Sequence, residues 1–520
     1  MYENSFANIL HFLENRKSLL RFLLKKATFY TLLYEERQQN QPFFSTFAPM
    51  KAKRDNYTFL TEGPIHQVIF TMAIPTIISM LSTSMYNLAD TYFVGSINTQ
   101  SVAAVGVSFA MMSVVQAVGF FYGHGAGNYV SRQLGAKHQE NAEKMAATGV
   151  VLSFLTGLLI AIVGHIFLTS LCTGLGSTPT ILPYTERYLG IILLGAPLMT
   201  TSLTLNNLMR FQGNTIYAMK GIMSGVLLNL ILAPLLILYF EMGITGAAIA
   251  TLISQCFGCL MLLWMTTKGQ NIRIRLRNFS PTKGYLKEIV FGGTPSLSRQ
   301  GLGSISTLML NVAAGVYGDA AIAGMSIVTR ICFFTYAVVI GLGQGFQPLC
   351  GFCYGAKLYA RVRDAFYFCI KCGTIFLCIC AIIGFVFAEN IVELFRSDPD
   401  VVSVGAMALK WQVISFPLVT TIVLTNMLMQ TIRKPVRANL VAAARSGLFF
   451  IPLIFILPHF FGLLGVEMCQ AWADVCSFSL AVPIAWSAFR DMRRMKAMER
   501  AGACCGGKRK LRKLRKSRES

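Results

Sequence analysis

Apolar residues fall in long blocks separated by short polar stretches, and most blocks reach the length a helix needs to cross a bilayer, about 20 residues. Twelve such blocks lie at roughly 65–93, 101–130, 143–169, 181–209, 215–239, 244–267, 285–316, 320–352, 364–388, 401–430, 438–460 and 463–488. The pattern predicts an all-α polytopic membrane protein with twelve spans. The second six blocks echo the first. Pro75 recurs as Pro295, Gly123-His124-Gly125 as Gly343-Gln344-Gly345, Gly135-Ala136-Lys137 as Gly355-Ala356-Lys357, and Pro197 as Pro417, all at one constant offset (295 − 75 = 417 − 197 = 220). An even number of spans per copy gives both copies one orientation. The chain is therefore read as two six-helix lobes related as parallel repeats, the build of a secondary transporter that rocks around a site between its halves. The predicted organisation is an N-terminal extension over 1–60, an N-lobe over 61–267, a basic linker over 268–284, a C-lobe over 285–488 and a basic tail over 489–520.

Charge placement gives a topology independent of the hydrophobic blocks. The connections 131–144, 210–220, 268–287, 353–363 and 433–437 hold 3, 2, 6, 3 and 3 Lys/Arg, or 17 together. Those on the other side hold only Arg187 and Arg396. The positive-inside rule then puts both termini in the cytoplasm. Composition agrees, since 54% of residues are hydrophobic, 13% are charged and mean hydropathy is +0.55. That excludes a soluble globular protein. The net charge of +23 could suggest nucleic acid, but residues 490–520 alone hold 13 Lys/Arg against three acids. A basic tail after a cytoplasmic helix end points to topology and anionic-lipid contact instead. A monomer is expected, with no nucleic-acid partner.

Fourteen cysteines do not form a disulfide or metal framework. Most lie inside spans, including Cys350-x-x-Cys353 and Cys369-x-x-Cys372, where cysteine serves as a small apolar residue. Cys504-Cys505 in the tail could be lipidated, although no other lipidation signal accompanies them. Residues 6–34 are partly apolar, but Glu14, Arg16, Lys17, Arg21, Lys25 and Lys26 interrupt them, which rules out a span. An amphipathic surface helix is one reading of this stretch. The other is that residues 1–49 are an over-called extension, because Met50-Lys51-Ala52-Lys53-Arg54 looks like a natural start. No phosphate-binding glycine loop, metal-ligand cluster or soluble catalytic domain is present, so neither an enzyme nor a cofactor is expected.

Ionisable groups at membrane depth are costly and default to functional candidates. Asp90, in Tyr86-Asn87-Leu88-Ala89-Asp90-Thr91, is the carboxylate of the first span. Asn229 and Thr251 stand out in spans five and six. A carboxylate, an amide and a hydroxyl suit a proton or a small hard cation such as sodium. The alternative for Asp90 is a cap at the outer interface, but a further apolar turn, Tyr92-Phe93-Val94, follows it. Pro75 shares its span and is read as a hinge, since its ring removes a helical hydrogen bond. In the second copy Arg299 and its neighbour Gln300 are candidates to line the central cavity, while Arg330 and Arg445 lie in later spans. For these arginines the competing reading is packing, through backbone carbonyls or an ion pair with Asp474.

Several of these stretches also carry a family likeness. Ala73-Ile74-Pro75, Tyr86-Asn87-Leu88-Ala89-Asp90-Thr91, Val102-Ala103-Ala104-Val105-Gly106, Gly123-His124-Gly125, Gly246-Ala247-Ala248-Ile249-Ala250-Thr251 and the two Gly-Ala-Lys span endings occur in order and at matching spacing. From about residue 60 to 490 the chain resembles the multidrug and toxic compound extrusion (MATE) family. The resemblance implies an inner (plasma) membrane antiporter that exports amphipathic, often cationic, compounds against protons or sodium. It also implies that Asp90, Asn229 and Thr251 share a cation site in the N-lobe. One departure matters: where the family commonly shows Asn-x-x-x-Asp-Pro, this chain reads Asn229-Leu230-Ile231-Leu232-Ala233-Pro234. The second carboxylate is missing. Desolvation penalises the charged form of a lone carboxylate, so protonation of Asp90 is easier than stable sodium binding. A lipid-linked oligosaccharide flippase of the same superfamily is the alternative, kept open by Arg299, Arg330 and Arg445.

Overall fold

The computed structural model describes residues 55–516 apart from Ser96, and side chains throughout that range except at 86–92, 99 and 499–516. The extension over 1–49 and the pair Cys504-Cys505 therefore lie outside the described residues or side chains. In the first half, a short helix α1 (Asn56–Glu62) precedes α2 (Ile65–Gly95), α3 (Thr99–Gly135), α4 (Gln139–Ile166) and α5 (Leu168–Gly174). Then come α6 (Leu182–Leu194), α7 (Ala196–Phe211), α8 (Thr215–Pro234) and α9 (Gly243–Thr266). The second half contains α10 (Lys283–Gly315), α11 (Asp319–Gly355), α12 (Tyr359–Val386), α13 (Ala388–Glu393) and α14 (Pro399–Thr431). It closes with α15 (Pro435–Ala443), α16 (Phe450–Phe461) and α17 (Leu463–Lys516). No strand occurs among the described residues.

Ten helical segments among the described residues are long and apolar enough to cross a membrane. Helices α6 and α7, bent by 49° at Gly195, supply an eleventh as one broken span. The remaining predicted block, 285–316, is a continuous helix of 33 residues, α10. It is more polar than the others because it carries Lys283, Lys287, Glu288, Arg299 and four serines. Its buried Glu288, Gly292 and Gly293 face the other lobe, while Ser296 and Arg299 bond to α14 within their own lobe.

The repeat survives as geometry. Asn206 donates to the carbonyl of Ala218 at 2.9 Å, and Asn426 donates to that of Ala438 at 2.7 Å, the same bond displaced by the repeat offset. Lys137 and Lys357 end their Gly-Ala-Lys turns with φ of 61° and 62°. The relation also crosses the lobes. Gly135 packs against the backbone of Phe352, and Gly355 packs against the carbonyl of Arg132. Because 352 − 132 and 355 − 135 both equal 220, this is one reciprocal contact about a pseudo-twofold axis. A Cβ at either glycine would collide with backbone, so close approach requires glycine at both positions.

Proline is accommodated by neighbours. Pro75 lies within α2 and cannot donate to the carbonyl of Thr71, four residues earlier. The hydroxyl of Thr215 on α8 reaches that carbonyl at 3.3 Å. Helix α2 therefore continues past Pro75 with the freed acceptor satisfied from another helix.

Candidate transport site between the lobes

The two lobes meet near one end of the bundle, the end bearing the 268–282 linker. Their close backbone approaches, Gly125 with Ile289, Gly345 with Ala73 and Gly341 with Ile77, all lie in that half. Gly106 on α3 and Gly301 and Gly303 on α10, toward the opposite ends of the same helices, would meet nothing within 4 Å if given a Cβ. The lobes are thus joined at one end, and the open space along α3 and α10 beyond it is read as a cleft between them.

An ionic clamp closes the joined end. Glu288 of α10 accepts from Arg132 of α3 at 2.8 Å and from Arg433, just past α14, at 2.5 Å. Arg132 also donates to the carbonyl of Thr431 at 2.8 Å, and Thr431 Oγ1 donates to Asn128 Oδ1 at 2.8 Å. Glu288 and Arg132 are mostly buried, with side chains 10% and 12% exposed, so losing one partner strands the other in a poorly hydrated place. Glu288→Gln should weaken the closed arrangement by about 3 kcal/mol. Hydrogen exchange across 131–138 and 353–358 should then speed up. Unchanged exchange would mean that glycine packing alone holds the lobes together.

Above the clamp lies a polar floor built by both lobes. Arg210, at the last turn of α7 and 4% exposed, donates to Gln344 of α11 and to Asn207 one turn earlier. Arg299 of α10 donates to Asn426 Oδ1 at 3.3 Å. His124 of α3 is 1% exposed, stacks on Phe120 at 5.5 Å and meets the edge of Phe211 at 6.0 Å. Its Nδ1 lies 3.1 Å from the Phe120 carbonyl. Gln430 donates to the Gly292 carbonyl at 2.6 Å and to Ser296 at 2.8 Å, and Gln347 donates to Gln430 at 3.2 Å. Along the sequence Arg210 and Arg132 read as connection charges, yet both belong to helices and face the opposite lobe. His124, Asn207, Gln344 and Glu288 are not among the site residues the sequence suggests. The repeat holds one usable signal, since Gly-His-Gly and Gly-Gln-Gly keep a polar residue between the same two glycines.

In the N-lobe, Asn229 and Thr251 come together as expected, with Asn229 Nδ2 3.3 Å from Thr251 Oγ1 and both side chains buried. Ala233, one turn beyond Asn229, is 1% exposed, so the position of the missing carboxylate is inside the lobe. The backbone of Asp90 belongs to α2, and its side chain lies outside the described residues. Gln300, beside Arg299, accepts from Ser304 at 3.2 Å through its backbone carbonyl.

The C-lobe arginines part company. Arg330 is exposed. Arg445 sits in a π-helical turn, Ala444–Leu448, and donates to Asp474 at 2.7 and 3.4 Å, its guanidinium 4.4 Å from the Tyr336 ring centroid. Asp474 is fully buried and also accepts from Gln412 at 3.2 Å, Ser415 at 3.0 Å and Gln470 at 3.1 Å. For Arg445 the packing alternative therefore holds. Among the described residues no group of three or more His, Cys, Asp or Glu side chains could hold a metal ion.

Fold and site together define a multi-pass membrane protein of two repeated lobes with a polar interlobe cleft. The family model described as MatE matches residues 75–235 and 295–456, two segments whose starts repeat the offset of the sequence (295 − 75). The chain belongs to the MatE family. Its relatives include the multidrug export protein MepA of Staphylococcus haemolyticus strain JCSC1435, 28% identical over 84% of this chain and 96% of that protein. Among solved structures, an outward-facing multidrug resistance MATE family transporter of the MOP superfamily matches with a TM-score of 0.80 at 24% identity, over 85% of this chain and 100% of that one. A MATE crystal structure in the bent conformation matches at 0.81 and 24%, over 85% and 99%. The likeness to both establishes the two-lobe fold.

Proposed function

We propose that this protein is an ion-coupled antiporter that exports amphipathic drugs or metabolites across the inner (plasma) membrane by alternating access. The observation that carries this reading is the cleft itself: two lobes clamped at one end over a buried polar floor to which both contribute. Such a site can be exposed to either side by rocking one lobe against the other. With both termini cytoplasmic, the clamped end faces inward and the described arrangement is outward-open. The multidrug export proteins among its relatives support the same reading.

Coupling is assigned to Asp90 with Asn229 and Thr251, and the driving ion to the proton ahead of sodium, because Ala233 removes the family's second carboxylate. Pro75 serves as the hinge that responds to the state of Asp90. The flippase alternative drew on three arginines in the C-lobe. Arg445 is already neutralised by Asp474, which weakens it. The test is ethidium accumulation by everted vesicles, with pH and sodium gradients imposed separately. Transport under the pH gradient is expected. Movement under neither gradient would overturn the antiporter.

A further inference from the structure

We infer that the exported molecule carries an anionic group, a carboxylate or its equivalent, which docks between Arg210 and Arg299 at the floor of the cleft. This narrows the exporter reading and rests on it for its transport meaning.

The floor holds two guanidinium groups and, among the described residues, no carboxylate that pairs with either. Arg210 is bonded to neutral amide oxygens on Gln344 and Asn207, and its Nε has no acceptor although it is buried. Arg299 has one amide oxygen, at 3.3 Å. Gly343, next to Gln344, packs against Met427, next to Asn426. The amides that hold the two guanidinium groups thus stand on touching turns of α11 and α14 and bring two like charges to one region of the floor. Burying a cation without a counter-charge is costly, and amide dipoles offset only part of that cost. Elsewhere this chain does supply the counter-charge: Arg132 and Arg433 have Glu288, and Arg445 has Asp474. Arg361 also lacks a carboxylate among the described residues, but the backbone carbonyls of Leu60 and Gly63 take its donors, whereas Arg210 keeps a buried Nε without an acceptor.

A guanidinium fork matches a carboxylate in two parallel bonds, and the unsatisfied Nε of Arg210 is a donor in such a fork. Arg210 belongs to the N-lobe and Arg299 to the C-lobe, so one anion bridging them offsets a repulsion between lobes. A ligand that does this binds the two conformations unequally, as alternating access requires. The approach is cationic as well. Arg330 lies about four turns up α11 from Gln344 (344 − 330 = 14) and on the same side of it to within about 40°. An amphipathic cation without a carboxylate, ethidium included, meets three like charges here and is moved more slowly than a zwitterion. Ethidium movement therefore tests the exporter and not the anion site.

Rhodamine B and its ethyl ester test this directly, because they share one cationic ring system and differ in a carboxylate. Binding of each to the purified full-length chain in detergent is read by fluorescence anisotropy, with the protein-free micelle signal subtracted. Rhodamine B should bind about tenfold more tightly, the scale of one charge-assisted hydrogen bond. Arg299→Gln should bring the ratio to about one, and Arg299→Lys, which keeps the charge but not the fork, should leave it between. Arg363→Gln, at a surface pair with Asp364 in the first turn of α12, should leave the ratio as it was. If Arg299→Gln does not fold, the wild-type ratio and Arg299→Lys decide. Equal affinities, tighter binding of the ester, or no binding of either dye would overturn the anion site. A carboxylate preference without gradient-driven dye movement in proteoliposomes would instead overturn the exporter reading and leave the anion site standing.

Discussion

Replacing Asp90 with asparagine should abolish gradient-driven efflux, reducing it to the rate of protein-free liposomes, while the protein still inserts and folds. Antiport needs a group whose affinity for the driving ion differs between the two conformations, and that difference is the whole of the coupling free energy. Shifting a two-state equilibrium from 1:99 to 99:1 takes about 5.5 kcal/mol of differential binding, which a neutral amide of fixed charge cannot deliver as the gradient changes. Asparagine mimics the protonated carboxyl permanently, so one state becomes favoured regardless of pH. Asp90→Glu should keep part of the activity with an altered pH dependence, since it retains a titratable group one methylene further out. The proposed coupling to a proton rests on the missing second carboxylate. Asn229 and Thr251 bond each other at 3.3 Å, and the next turn offers only Ala233. Restoring the carboxylate with Ala233→Asp should raise the response to a sodium gradient. Efflux at the wild-type rate from Asp90→Asn would move coupling to another group.

The second large effect concerns stability rather than transport. Arg445→Met should destabilise the C-lobe by about 3–5 kcal/mol, because it leaves a fully buried carboxylate without its cation. Three neutral donors, from Gln412, Ser415 and Gln470, remain on Asp474 and keep it from collapsing into apolar surroundings. The double change Arg445→Met with Asp474→Leu should recover much of the loss, since removing both charges also removes both desolvation penalties. Thermal unfolding in detergent is the measurement. A single variant that unfolds at the wild-type temperature would show that the pair is dispensable. The π-helical turn that presents Arg445 should then be judged on packing alone.

Membership of a repeated, two-lobed membrane protein was legible in the sequence. Each apolar block declares a span through its own composition, because a helix in hydrocarbon satisfies its backbone internally and needs no partner to be recognised. The constant offset between the halves aligned Pro75 with Pro295, each inside the first long helix of its half. It also aligned glycines that the structure finds in equivalent places, down to the reciprocal contact of Gly135 with Phe352 and Gly355 with Arg132. Asn229 and Thr251 stood out along the chain because each is polar in an apolar helix, while the family resemblance put them in one site.

The fate of the charges was decided only by tertiary structure. Arg299, Arg330 and Arg445 look alike along the chain, as single arginines in apolar helices. Arg445 meets a carboxylate 29 residues away, Arg299 meets only an amide 127 residues away, and Arg330 is exposed. Arg210 and Arg132 read as connection charges because hydropathy places the ends of a span only to within a turn. A turn is enough to carry a guanidinium from water to the lobe interface. Glu288 gained its role from Arg132, far earlier in the chain, and from Arg433, far later. The hydrophobic effect acts on the local run of residues and so can be read along the chain. The cost of a buried charge depends on what stands a few ångströms away across another helix, and spacing along the chain does not encode that distance.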